Sequence, residues 1–303
     1  MTADSYYGRP IVNEPVWKPE VAFYLFTGGI AGGSAVLHGL AKLAGNERLA
    51  RSTLWIGAAA EAVCPPLLIS DLGRPERFLN MLRVFKVTSP MSVGSWILIV
   101  SSGASTTAAA LERLRLLGPL QALTEGVWFL SGPPLATYTG ALLANTAIPV
   151  WSEARDELPW IFGASATACA GAAAAIATPT WCAGPARRAA IGGVVAELGL
   201  VHAMEKKLGF VGEVYEQGEA GEYAKVSKAL GIAGAVLLAA RGRRSRAAAA
   251  AGGALILGSS LALRWSVFRA GFQSARDPKY TVIPQKKRAA IRRAESHPAS
   301  APD

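Results

Sequence analysis

The sequence predicts an all-α, polytopic membrane protein, and three observations predict it. Hydrophobic residues make up 51% of the 303, mean hydropathy is +0.28, and the charged residues gather between long neutral runs. A bilayer crossing needs roughly 17 to 25 apolar residues. Eight stretches qualify, at about 20–44, 54–70, 93–111, 120–143, 159–180, 188–204, 226–240 and 247–268. Eight transmembrane helices place both termini on the same side, here named the N-face. The chain then divides into an N-terminal extramembrane segment, 1–19, a transmembrane domain, 20–270, and a basic extramembrane C-terminal tail, 271–303.

Taken in order, the first 19 residues are polar and contain proline. They lack a compact basic segment before a short apolar core, so the first span is expected to persist rather than to be cleaved as a signal. Spans two and four contain Pro65-Pro66 and Pro133-Pro134, which are expected to break the backbone ladder locally, freeing carbonyls or bending the helices. The fifth stretch, IFGASATACAGAAAAIA, is built from small residues and reads as a helix packed among neighbours. The seventh is short, and Lys228 lengthens it by snorkelling; without it the count falls to seven. Ala60-Glu61 and Ala196-Glu197 fall at like positions of spans two and six, as two four-helix halves would place them. The tail QKKRAAIRRAESHPASAPD is basic, then Ser/Pro/Ala-rich, and reads as mobile.

The loops of the N-face are long and of mixed charge. Those of the opposite face are short and hold Lys42, Arg48, Arg51, Arg113, Arg115, Arg187, Arg188, Arg241, Arg243, Arg244 and Arg246, against only Glu47 and Glu112. Short basic loops belong to the cytoplasm, which turns the N-face outward, whereas the basic tail argues for the opposite orientation. The net charge of +10 is spread over these loops and reads as contact with membrane lipids, not as nucleic-acid binding. The protein is expected in the inner or plasma membrane of the cell.

Glu61, Glu125 and Glu197 stand inside otherwise apolar spans. Carboxyl groups at that depth face a cavity, a partner or a proton path. With His38 and Asp71 they order by depth into a discontinuous proton ladder. Cys64, Cys169 and Cys182 show no Cys-x-x-Cys spacing, which argues against an iron–sulfur cluster in this chain and for helix packing. A bis-His haem needs two ligands at one depth. The chain has only His38, His202 and His297; His297 belongs to the tail, and at 1.5 Å per residue the other two differ in depth by roughly 20 Å.

Span two ends on Asp71-Leu72-Gly73-Arg74-Pro75-Glu76-Arg77-Phe78. The acid at a helix end, the turn glycine and the direction-fixing proline make a rigid charged elbow. Phe78, Leu82 and Phe85 opposite Arg77, Arg83 and Lys86 make the next stretch amphipathic, so that it lies along the interface. Asp71 takes up or releases protons or pairs with Arg74, and Arg74 and Arg77 face a partner.

The DLGRP elbow followed by SPMSVGSW resembles the NrfD/PsrC family, the membrane subunits of polysulfide-reductase-like redox complexes. FYLFTGGIAGGSA, Phe23 to Ala35, is similar to the family's first span, and TYTGALLANTAIPVW, Thr137 to Trp151, to its fourth. The resemblance runs from about residue 20 to 270 and implies a respiratory electron-transport subunit. It binds a quinone, menaquinone or ubiquinone, without haem. It exchanges electrons with a ferredoxin-like iron–sulfur subunit, which serves a catalytic, often molybdopterin, subunit. Tyr138 matches the family's quinone-bonding tyrosine of the fourth span. Glu20 and Tyr24, one turn apart, stand where some relatives have Asn and His, a departure that alters the hydrogen bonding offered to the ring. A secondary transporter or proton-conducting protein is the alternative, since intramembrane acids and helix-breaking prolines occur there too. A bare anchor for a soluble enzyme is the third reading.

Overall fold

The computed structural model describes residues 11–114 and 117–296, all helical apart from connections and turns; His297 lies outside the described residues. The α-helices are α1 (Glu20–Leu43), α2 (Glu47–Asp71), α3 (Pro90–Leu114), α4 (Gly118–Ala144), α5 (Pro149–Glu153), α6 (Leu158–Ala177), α7 (Gly184–Leu208), α8 (Gly218–Arg241), α9 (Arg246–Arg276) and α10 (Lys279–Ser296). Helices α1, α2, α3, α6, α8 and α9 are long and apolar enough to cross a membrane, and the chain is a multi-pass membrane protein. Helices α4 and α7, with 27 and 25 residues, have the length but not the composition. Helix α7 carries Arg187, Arg188, Glu197, Glu205, Lys206 and Lys207, and α4 spends its length on Gly, Pro and Thr around Glu125.

Side-chain contacts fix the two ends of the bundle. At one end Arg276 pairs with Glu14 at 3.0 Å, Lys207 with Asp156 and Glu157 at 2.9 and 2.6 Å, and Trp17 stacks on Trp151. The two carboxylates hold the Lys207 ammonium above its ordinary range. At the other end Asn46 donates to the Cys182 carbonyl, Arg48 covers Trp181, and Arg246 donates to the Thr178 carbonyl. Glu14 and Arg276, far apart in sequence, thus lie at one end of the bundle, for which the label N-face is kept.

Helix α1 packs on α2, α4 and α6; α3 packs on α4, α6 on α7 and α9, and α8 on α9. The glycines of its GGIAGG run explain the central place of α1. A Cβ on Gly32 would stand 2.6 Å from the Ala136 nitrogen of α4, and one on Gly33 would collide with the Ala166 carbonyl of α6. Only a chain without side chains at both positions fits between two helices at backbone distance.

Both proline pairs sit inside helices that continue past them, where the absent N–H groups leave ladder bonds unmade as expected; the Thr137 hydroxyl donates to the Pro133 carbonyl at 2.9 Å. Several expectations change. Helix α8 is 24 residues long, far more than 226–240, because its first turns are a charged continuation of the apolar run, and Lys228 pairs with Glu205 at 2.9 Å. Helix α9 extends to Arg276, beyond the expected domain edge at 270, and Lys279–Ser296 forms α10 where a mobile tail was expected. The stretch after the elbow is a 3-10 helix, Pro75–Leu82, with no buried residue. Phe78 and Leu82 are half-buried but Phe85 is exposed, edge-on to Trp96.

Candidate functional site

The first polar cluster lies among α1 to α4. Glu61 is buried, and its carboxyl group accepts hydrogen bonds from Ser101, from Ser105 and, at 3.2 Å, from the Trp128 indole. Ser101 and Ser105 are one turn apart on α3, so both hydroxyls reach one carboxyl. The Trp128 ring fits because α2 has a glycine opposite it: a Cβ on Gly57 would collide with the indole. The same ring packs on His38 at 5.2 Å between centroids. His38 Nδ1 bonds the Ala50 carbonyl at 2.8 Å, and Nε2 stands 3.6 Å from Glu125 Oε2, just beyond hydrogen-bond length. Glu125 is further held by Gln121 at 2.8 Å and Lys42 at 3.5 Å. His38, Lys42, Gln121 and Glu125 line a cavity of about 230 Å³ at the end opposite the N-face. Glu61, His38 and Glu125, named separately from the sequence, therefore form one connected group, with Trp128 as the link that sequence reading missed.

Glu197 is not part of that group. It is buried on α7 and lines a separate enclosed cavity of about 20 Å³ with Tyr215, Glu205 and Lys228, room for about one water. Nearby is a charged residue that the sequence reading passed over. Arg264 of α9 is wholly buried, stacks 3.9 Å from the Phe162 ring, and donates to the carbonyls of Leu25 and Phe162 at 3.3 and 3.2 Å. Its Nη1 has no hydrogen-bond partner among the described residues. Arg264 thus ties α9 to α1 and α6.

The third cluster is at the N-face end of α1. Glu20, Tyr24 and Gly28 repeat every four residues and so share one helix face. Glu20 Oε2 and the Tyr24 hydroxyl are buried without a hydrogen-bond partner among the described residues. Gly28 is buried too, yet among the described residues no atom of another element lies within 4 Å of the point where its Cβ would be. Buried polar atoms are nearly always satisfied, so two orphans on a helix face that also carries an unfilled position are what a site for a polar-edged ligand leaves. Tyr138 packs its ring against Gly94 of the SPMSVGSW run, where a Cβ would collide with it. Asp71 Oδ1 accepts the Lys18 backbone N–H at 2.8 Å, so its carboxylate serves the N-terminal segment. Arg74 and Arg77 are exposed on the elbow. Further along, Met81, Val84, Met91 and Ser95 line a cleft of about 260 Å³. His202 is exposed near the N-face end of α7, far in the chain's packing from the internal bonds of His38.

These features define a helical membrane protein with internal carboxyl groups and a charged surface elbow. The family model described as Polysulphide reductase, NrfD, matches residues 11–226, and the chain belongs to the NrfD family of membrane subunits of polysulphide-reductase-type complexes. A search of curated proteins found no match.

Proposed function

We propose that this chain is the quinone-reactive membrane subunit of a multisubunit oxidoreductase, exchanging electrons with an iron–sulfur subunit that serves a catalytic subunit. The observation that carries the reading is the α1 face of Glu20, Tyr24 and Gly28: two buried polar atoms without partners among the described residues, on a face with unfilled space at Gly28. That set fits a quinone, whose ring needs an apolar slot and a hydrogen bond at its carbonyl oxygens. A bound quinone supplies two-electron chemistry that requires protons to be added or removed at those oxygens. Tyr24 donates from its hydroxyl and orients the ring, and Glu20 exchanges a proton at Oε2. Tyr138 closes the slot from α4, its ring kept in place by the gap at Gly94.

Eight helices cross the bilayer in this reading, α4 and α7 included. They form two halves: α1 to α4, and α6 to α9 with the same order of packing partners. Lining by neighbours on every side tolerates the polar composition of α4 and α7. Glu61, His38 and Glu125 carry protons between mid-membrane and the opposite face, and Glu197 serves the second half. Asp71, near the elbow, completes the N-face side of the ladder.

The test is quinol oxidation by the intact complex, measured with a soluble menaquinol analogue. Tyr24→Phe and Tyr138→Phe should each lower turnover at least about tenfold, the loss of roughly 1.4 kcal/mol of transition-state stabilisation, with the iron–sulfur subunit still copurifying. Unchanged turnover in both variants would reject the site.

A further inference from the structure

Between α2 and α3 runs a groove of about 570 Å³, walled by Ala58, Ala59, Ala62, Thr106, Ala109 and Ala110. Trp55 and Arg113 stand at one end of it. Helix direction places that end at the face opposite the termini and Ala62 and Thr106 toward the middle of the bundle. Seven residues from Trp55 to Ala62 span roughly 10 Å at the helical rise, within one leaflet of a hydrocarbon core about 30 Å thick. The volume falls in the range of ligand pockets, about 300–1,000 Å³, and it does not touch the Glu20–Tyr24–Gly28 face or the cluster around Glu61.

We infer that this groove is a binding site for one anionic phospholipid, with an acyl chain along the alanines and the phosphodiester at Arg113. The charges select this occupant. Arg113 is exposed, and its acidic neighbour Glu112 is already engaged, by Arg51 at 2.8 Å and by the Trp55 indole at 3.2 Å. Glu112 is thus not paired with the Arg113 guanidinium, for which no ion pair is found among the described residues and which sits where a headgroup would be. The indole of Trp55, 42% exposed, has the amphipathic character of side chains at headgroup depth. A transmembrane helix of another subunit is the competing occupant, and a photocrosslinker at Ala62 separates it from lipid.

Native mass spectrometry of the intact complex tests the site, after reconstitution with phosphatidylglycerol or with phosphatidylcholine of the same acyl chains. One phosphatidylglycerol should stay bound to this chain, at least about tenfold in excess over phosphatidylcholine, the discrimination of one well-placed charge contact. Arg113→Gln should abolish that preference and Arg113→Lys should keep it. Ala59→Leu with Ala110→Leu, at two exposed positions, should displace the lipid by filling the groove. Equal retention of the two lipids overturns the inference. So does retention that survives both Arg113→Gln and the leucine pair, or a photocrosslinker at Ala62 that labels a polypeptide instead of lipid. Quinol turnover is a separate readout and is expected to be unchanged by the groove variants, so failure here leaves the quinone site standing.

Discussion

A carboxyl group buried with three donors around it is both a structural node and a proton carrier, and two replacements at Glu61 separate those roles. Glu61→Leu leaves Ser101 and the Trp128 indole without their acceptor, while Ser105 turns to the Ser102 carbonyl at 3.2 Å. Each buried polar group left unsatisfied costs about 1–3 kcal/mol, so this variant should unfold at visibly lower temperature in detergent. Glu61→Gln keeps an acceptor of the same shape and should keep thermal stability, but it cannot exchange a proton. The proton-to-electron ratio in proteoliposomes should fall while electron transfer persists. A wild-type ratio in Glu61→Gln would remove this residue from proton transfer. The acids themselves were legible in the sequence, since charge inside an apolar run stands out. Their partners were not: a serine or tryptophan within a span has no distinctive pattern, and only packing brings Trp128 between Glu61 and His38. Arg264 escaped notice because a span ending at 268 puts it at an interface, whereas α9 continues to Arg276 and buries it.

Helix α1 shows why one glycine-rich run has two meanings. Gly33 lets α6 approach to backbone contact, whereas Gly28 faces empty space. Gly33→Leu should therefore overpack the α1–α6 contact, at a cost of about 1–3 kcal/mol or more, seen as reduced accumulation of the chain in membranes. Gly28→Leu should accumulate normally but fill the space on the helix face of Tyr24, raising the concentration of quinol analogue needed for half-maximal turnover. The reverse pattern, a stable Gly33→Leu and an unstable Gly28→Leu, would contradict the packing. Helical class and the rough position of each long helix were readable from apolar runs alone. Boundaries were not, because helix ends here are charged turns beyond the apolar core, as in Gly218–Arg241 and Lys279–Ser296. The elbow was readable as a break, since Gly73 and Pro75 end α2. Its 3-10 form was not, because apolar residues opposite basic ones suit either helix type.

At the scale of the whole molecule, the two ends of the bundle differ in kind. The end opposite the termini is closed by short connections whose side chains cap neighbouring carbonyls, as Asn46 and Arg246 do. The N-face instead presents longer segments: the elbow with exposed Arg74 and Arg77, exposed Leu79 and Phe85, and the 3-10 turn Gly209–Tyr215. Exposed apolar side chains interleaved with arginines have the composition of an interface with a polar rim, and the elbow is where the iron–sulfur subunit is proposed to dock. Charges at such a rim act on association more than on the stability of either partner. Arg74→Glu with Arg77→Glu should therefore lower the amount of iron–sulfur subunit recovered with this chain, and the loss should deepen at low ionic strength, where like-charge repulsion is less screened. The thermal unfolding of the isolated chain should not move, because neither side chain is buried. If the double variant copurifies its partner as the unaltered chain does at both low and high salt, the docking surface lies elsewhere on the N-face. The cleft beyond the elbow would then be free for another use.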